Sequence, residues 1–210
     1  MPRILVVRVL LAALAAGLLV GGVWGLLSKP TPQTDADTQA GQRRGSQQAR
    51  TDTDPLHGLR QGVAYAVKNA DHDFYLDVRG YSNEKNTQVF LYKQLHKQPN
   101  QRWYVEKAGA DTVRLRSAQP SRYCLRPESD QLKSETGMVQ GECEGDYSRW
   151  RVVYRGGSYM LLNMASVEIA KHNKPLALST GRKESDGQRL EYHHRNDTRL
   201  QQFWNFTPLS

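Results

Sequence analysis

Cysteine, large apolar residues and acidic charge are all scarce in this chain. Of its 210 residues two are Cys and four are Phe, and the whole hydrophobic set reaches only 38%, which disfavours a leucine-rich helical bundle. Two thiols with no neighbouring His or third thiol cannot supply the four ligands of a structural zinc site. The length excludes multidomain enzymes and most large α/β catalytic barrels. Also missing are a Gly-x-Ser-x-Gly elbow, a His-Glu-x-x-His pair and a Gly-rich phosphate loop; Gly156-Gly157-Ser158 reads as a hairpin turn instead. The adjacent His193 and His194 would point to opposite faces of a strand and share no metal. No catalytic residue, metal or cofactor is expected, and the chain reads as a non-enzyme. Against 21 acidic residues stand 29 basic ones, a formal +8. Residues 61–210 hold 22 basic and 17 acidic residues with interspersed signs, too mild a balance for a nucleic-acid surface.

Charge is absent altogether from Val9 to Leu27, 19 apolar or Gly residues between Arg8 and Ser28-Lys29. That run approaches the ~20 residues needed to cross a bilayer as a helix. Residues 1–29 are therefore expected to form one N-terminal hydrophobic helix acting as a signal anchor or transmembrane segment, with a cleaved export signal as the alternative. Arg3 and Arg8 ahead of the run orient the N-terminus to the cytoplasm and the remainder outside, periplasmic or extracellular, or secreted if the signal is cut. Residues 30–60, rich in Thr, Gln, Asp, Gly, Ser and Arg, carry Leu56 and Leu59 as their only large aliphatics and read as a disordered linker. As a flexible coil it would span on the order of 30 Å.

Residues 61–210 contain a threefold internal repeat. Gln101-Arg102-Trp103, Ser148-Arg149-Trp150 and Gln202-Phe203-Trp204 place Trp residues 47 and 54 positions apart. Upstream of them stand Leu76-Asp77-Val78, Leu125-Arg126-Pro127 and Leu176-Ala177-Leu178, then Val89–Tyr92, Met138–Gly141 and Gln188–Tyr192. Each unit opens on an alternating run, Val63–Val67, Val113–Arg116 and Tyr159–Leu162, the period-2 signature of half-buried strands. The third unit has roughly six extra residues around Ser166 to Lys174. Short strands in three units that cannot bury their faces alone predict an all-β fold with pseudo-threefold symmetry and Trp103, Trp150 and Trp204 in its core.

These position-matched repeats resemble the ricin B-type (R-type) lectin family, whose signature is three Gln-x-Trp motifs and whose fold is the β-trefoil; Ser148 departs from it in the middle unit. The resemblance covers about Gly62 to Pro208. It implies a disulfide joining Cys124 to Cys143 within the second repeat, worth roughly 3 kcal/mol for a loop of about 20 residues, and hence an oxidising compartment.

A neutral sugar needs an acceptor carboxylate, an amide and an aromatic platform. The resemblance assigns these roles in the first repeat to Asp77, Asn100 and Tyr92, with Gln101 behind them fixing the carboxylate. His96 lies in the same loop without a positional match. In the second repeat Arg126 and Gly141 replace carboxylate and platform; in the third Ala177 replaces the carboxylate while Tyr192 persists. The expectation is thus a membrane-anchored extracytoplasmic module binding glycans or polysaccharide through one intact site. The alternative is a β-trefoil that docks a protein partner, resembling the receptor-binding subunits of bacterial genotoxins. A third reading has Arg and Lys clusters selecting anionic polysaccharides. No nucleic-acid partner is expected.

Overall fold

The computed structural model describes residues 54–169, 174–181 and 187–210. The hydrophobic helix expected in residues 1–29 and residues 30–53 of the expected linker lie outside the described residues. Among the described residues no helix is long and apolar enough to cross a membrane.

Among the described residues, twelve strands fall into three groups of four. The first repeat supplies β1 (Ala64–Asn69), β2 (Tyr75–Val78), β3 (Gln88–Tyr92) and β4 (Trp103–Lys107). The second supplies β5 (Thr112–Ser117), β6 (Cys124–Pro127), β7 (Met138–Gly141) and β8 (Trp150–Arg155). The third supplies β9 (Ser158–Asn163), β10 (Leu176–Thr180), β11 (Gln188–His194) and β12 (Phe203–Pro208). Alternation in the sequence becomes alternation in space. On β5 Val113 and Leu115 are buried while Arg114 and Arg116 are half-exposed, and on β4 Trp103 and Val105 are buried while Tyr104 and Glu106 are not. Gly156 and Gly157, at φ 58° and 90°, supply the two positive-φ positions that a two-residue hairpin turn requires. They join β8 to β9 where Arg155 faces Ser158.

Antiparallel pairing closes the first and last strands of each repeat into a six-stranded barrel, in the order β1, β4, β5, β8, β9, β12 and back to β1. The middle strands form three hairpins, β2–β3, β6–β7 and β10–β11. These meet through the β3–β7 and β3–β11 pairings and a bridge from Gly137 to Glu191. The fold is all-β and β-trefoil-like. Closure leaves the barrel no free edge, and the space between barrel and hairpins is filled by one apolar cluster containing Trp103, Trp150 and Trp204, all fully buried.

Each indole is also satisfied as a donor. The Nε1–H groups of Trp103, Trp150 and Trp204 donate to the carbonyls of Leu76, Leu125 and Leu178, each at 3.2 Å. A buried Trp needs such a partner, so the polar-x-Trp phrase and the Leu phrase are two ends of one hydrogen bond. In the longer third repeat Met164–Ile169 form a short helix, α1. Ser166 Oγ donates to the Asn163 carbonyl at 2.7 Å and accepts from Leu176 N–H at 2.9 Å, which ties the insertion to β10.

The domain begins earlier than residue 61. Leu56 and Leu59 are each 5% exposed and belong to the main core cluster. Asp54 accepts from the backbone N–H groups of Leu56 at 3.0 Å and Gly58 at 2.6 Å. Tyr159 Oη then donates to the His57 carbonyl at 2.7 Å, and Arg60 N–H donates to Tyr65 Oη at 2.9 Å. Low apolar content across residues 30–60 concealed two leucines spaced to reach the core once Asp54 folds the turn between them.

Candidate functional site

The first repeat brings its four predicted residues together. Asp77 lies on β2 opposite Phe90 of β3, with Tyr92 two residues further along the same face as Phe90. Asn100 and Gln101 come from a 3-10 turn, Pro99–Gln101, whose Pro opens the turn with a backbone angle already suited to it. Asp77 is only 4% exposed. Its Oδ1 accepts from Asn100 Nδ2 at 2.7 Å and its Oδ2 from Gln101 Nε2 at 2.7 Å. Gln101 is fully engaged: its Nε2 also donates to the Gln94 carbonyl at 2.9 Å, and its Oε1 accepts from His96 N–H at 2.6 Å. It therefore fixes both the carboxylate and the 94–96 loop. The Oδ1 of Asn100 is buried and has no hydrogen-bond partner.

The face of the hairpin that carries Asp77 also carries aromatic side chains from β3. Tyr92 packs edge-on against Phe90 with centroids 5.9 Å apart, and the His96 ring lies 5.3 Å from Tyr92. Arg79 sits over Phe90 at 5.6 Å. Sequence reasoning missed Phe90, although its period-2 spacing from Tyr92 was visible, and gave His96 no role. The assembly is an acceptor carboxylate, two orienting amides and a cluster of edge-on and tilted rings, which suits a polyol with one apolar face.

The shared indole bonds define the equivalent positions in the other repeats. Leu76, Leu125 and Leu178 correspond, so the counterparts of Asp77 are Arg126 and Ser179. The sheet partners of those leucines are Leu91, Gln140 and Tyr192, so the counterparts of Tyr92 are Gly141 and His193. The expectation that Ala177 and Tyr192 occupy these places in the third repeat is corrected. Leu176-Ala177-Leu178 offers two leucines two apart, and a shift of two keeps every side chain on its face, so sequence pattern alone does not separate the registers. Tyr192 is no platform: it is fully buried, 5.9 Å from Trp150, and burial holds its phenol well above the ordinary value.

In the second repeat the Arg126 side chain occupies the space beside the platform position. A Cβ at Gly141 would stand 2.8 Å from Cδ of Arg126, whose guanidinium pairs with Asp130 at 3.0 Å. Ser148, in place of Gln, donates to the carbonyls of Glu144 and Gly145 at 3.0 and 3.1 Å. Cys124 and Cys143 are disulfide-bonded, with Cα atoms 5.0 Å apart, as the family resemblance implied. Among the described residues no group of three or more His, Cys, Asp or Glu is arranged to hold a metal.

Residues 47–141 match the family model described as "Ricin-type beta-trefoil lectin domain-like". Over those residues the chain is similar to the ricin B-type family. No curated protein matches the sequence. Among solved structures, the trefoil is similar to the designed threefold-symmetric protein ThreeFoil, at 23% identity and a TM-score of 0.62 over 70% of this chain and 99% of that one. It is similar to the ricin B-like lectin of Macrolepiota procera, solved with lactose, at 19% identity and a TM-score of 0.54 over 70% and 96%. It also resembles part of a mosquitocidal holotoxin, at 16% identity and a TM-score of 0.60 over 72% of this chain; the match spans 18% of that toxin. At these identities the likeness is one of fold.

Proposed function

We propose that the trefoil is a non-catalytic carbohydrate-binding module that takes one neutral sugar in its first repeat. The observation that carries this reading is the buried Asp77 carboxylate, held by Asn100 and Gln101 on the hairpin face that also carries Phe90 and Tyr92, with the His96 ring against Tyr92. Asp77 accepts hydrogen bonds from two adjacent hydroxyls, Asn100 contacts one of them, and Tyr92 stacks on the ring. A single such site binds on the order of millimolar, about −4 kcal/mol. Residues 1–29 act as a signal anchor and residues 30–53 as a tether, so the domain works outside the cytoplasm, where the Cys124–Cys143 bond persists. Display of many copies on one membrane raises avidity without new contacts. Protease treatment of intact cells and of cells with a permeabilised outer membrane tests the topology: the chain is expected to be cut in at least one of the two while a cytoplasmic marker protein stays intact, and protection in both would contradict it.

The glycan site is tested by applying the full-length chain and its Asp77→Ala variant to a glycan array. Binding lost with Asp77 supports the reading, and binding that survives sinks it. The second reading, a subunit that docks a protein partner, draws on the fold likeness to part of a holotoxin. A blank array together with capture of a defined partner chain would favour it.

A further inference from the structure

Charges whose signs alternate along the chain separate on the surface. Where β4 meets β5, the paired positions turned away from the Trp core are Tyr104–Arg116 and Glu106–Arg114. The equivalent pairs where β8 meets β9 are Arg151–Leu162 and Val153–Met160. Where β12 meets β1 they are Asn205–Lys68 and Thr207–Ala66. The barrel thus builds the same wall three times and places two arginines on β5 in only one of them, so the fold itself does not require them. That wall continues onto β8, because Thr112 of β5 lies opposite Arg151.

Three acidic groups on the wall are already engaged. Glu106 accepts from Arg116 at 2.5 and 2.8 Å, Asp111 pairs with Arg151 at 3.1 Å and Asp146 with Arg149 at 2.7 Å. Arg102, Lys107, Arg114 and Arg122 are left without an ion-pair partner among the described residues. Arg114 donates only to the Ser148 hydroxyl, at 3.3 Å. The Arg122 guanidinium lies over the Tyr104 ring at 4.7 Å, and Arg116 donates to the Arg122 carbonyl at 2.9 Å, which fixes that loop against the wall. Like charges on neighbouring strands repel one another, and an anionic ligand relieves that repulsion. Beside Arg122 opens a cleft of about 370 Å³, the size of a small-ligand site, whose walls include Gln61, Tyr104 and Lys107.

At its other end the wall adjoins the first-repeat site. Arg102 follows Gln101 directly and donates to the Lys97 carbonyl at 2.7 Å, in the loop whose His96 N–H bonds to Gln101. A basic track therefore leads from that site along the barrel, past Tyr104 and Arg116, to the cleft at Lys107 and Arg122.

We infer that this wall binds an acidic polysaccharide, a chain carrying carboxylate or sulfate groups. Guanidinium groups set on rigid strands match the planar, bidentate geometry of such anions, and the cleft admits a ring. The choice of an anion rests on the four unpaired cations; the choice of a polysaccharide over another polyanion rests on the reading of the first-repeat site, which the track adjoins.

Isothermal titration of the full-length chain in non-ionic detergent with polygalacturonate, dextran sulfate, neutral dextran and polyglutamate tests the inference. At least one acidic polysaccharide is expected to bind more tightly than dextran and polyglutamate, with an affinity that falls as salt is raised. The double variant Arg114→Gln/Arg122→Gln is expected to weaken that binding tenfold or more. Lys133→Gln/Arg199→Gln removes the same charge from the β6–β7 connection and the turn before β12, and is expected to change it less than threefold. Asp77→Ala is expected to leave binding of these wholly acidic chains unchanged, so failure of the first-repeat reading is seen separately, as neutral-glycan binding that does not depend on Asp77. Equal losses in the two double variants would reduce the effect to net charge and overturn the proposal. Dextran or polyglutamate bound as tightly as the acidic polysaccharides would overturn it as well.

Discussion

At the residue scale, the candidate site depends on side chains that never touch the ligand. Gln101 links Asp77, the Gln94 carbonyl and the His96 backbone, so Gln101→Ala is expected to lower sugar affinity about tenfold while circular dichroism keeps its β spectrum. An affinity equal to that of the unaltered chain would show that Asp77 needs no such support. Tyr192 presents the opposite case, since its buried hydroxyl has no partner. Removing an unsatisfied polar group from a core is neutral or stabilising, so Tyr192→Phe is expected to leave the thermal midpoint unchanged or to raise it; a fall of several degrees would reveal an unseen partner. The grouping of Asp77 with Asn100 and Gln101, and of Tyr92 on the adjoining strand, was legible through the family resemblance, which fixes positions relative to the Gln-x-Trp phrase. Phe90 and His96 were not, because an aromatic residue on an outer strand face or in a loop has no pattern that separates packing from recognition.

At the element scale, legibility depended on what each pattern can distinguish. Each of the twelve strands among the described residues overlaps a repeat phrase, because alternation marks strand segments directly, but β4, β8 and β12 run on well beyond the Trp that ends theirs. The third-repeat register was ambiguous because Leu176 and Leu178 both satisfy a Leu-x-x phrase, and the Trp204 to Leu178 bond decides between them. The turn from Asp54 to Leu59 was read as linker because two leucines in a polar stretch carry no periodicity. A chain beginning at residue 61 loses both, and each buried Leu is worth about 2–5 kcal/mol. Its urea midpoint is expected to fall well below that of a chain beginning before Asp54; equal midpoints would contradict the packing of this turn. The Cys124–Cys143 bond joins β6 to the segment after β7. Replacing both by Ser is expected to cost about 3 kcal/mol, read as a lower denaturation midpoint that reductant does not lower further.

At the scale of the whole molecule, three equivalent indole bonds and a closed barrel explain how a chain poor in apolar residues holds one core. Its surface charges set the pH range of stability. Asp54 lies below the ordinary carboxylate value of 3.8 because the backbone N–H groups of Gly58 and Leu56 bond to it, Asp73 because Lys68 does, and Asp197 because Arg195 does. Each contributes stability that is present above the unfolded value and is lost as pH falls through its lower folded value. Lys68 and Arg195 are raised by the same hydrogen bonds, so their contribution is lost only in strong alkali. Thermal midpoints are therefore expected to hold through neutral pH and to decline below about pH 4, modestly, because these pairs are solvent-facing. A midpoint that rises on acidification below that point would count against these assignments.

The central claim, that a trefoil with one surviving neutral-sugar site recognises glycans, is tested most directly on a glycan array. The full-length chain is predicted to bind a set of neutral glycans and Asp77→Ala to lose that set while remaining folded. Neutral-glycan binding that persists without the Asp77 carboxylate, or no glycan bound at all by the unaltered chain, would contradict it.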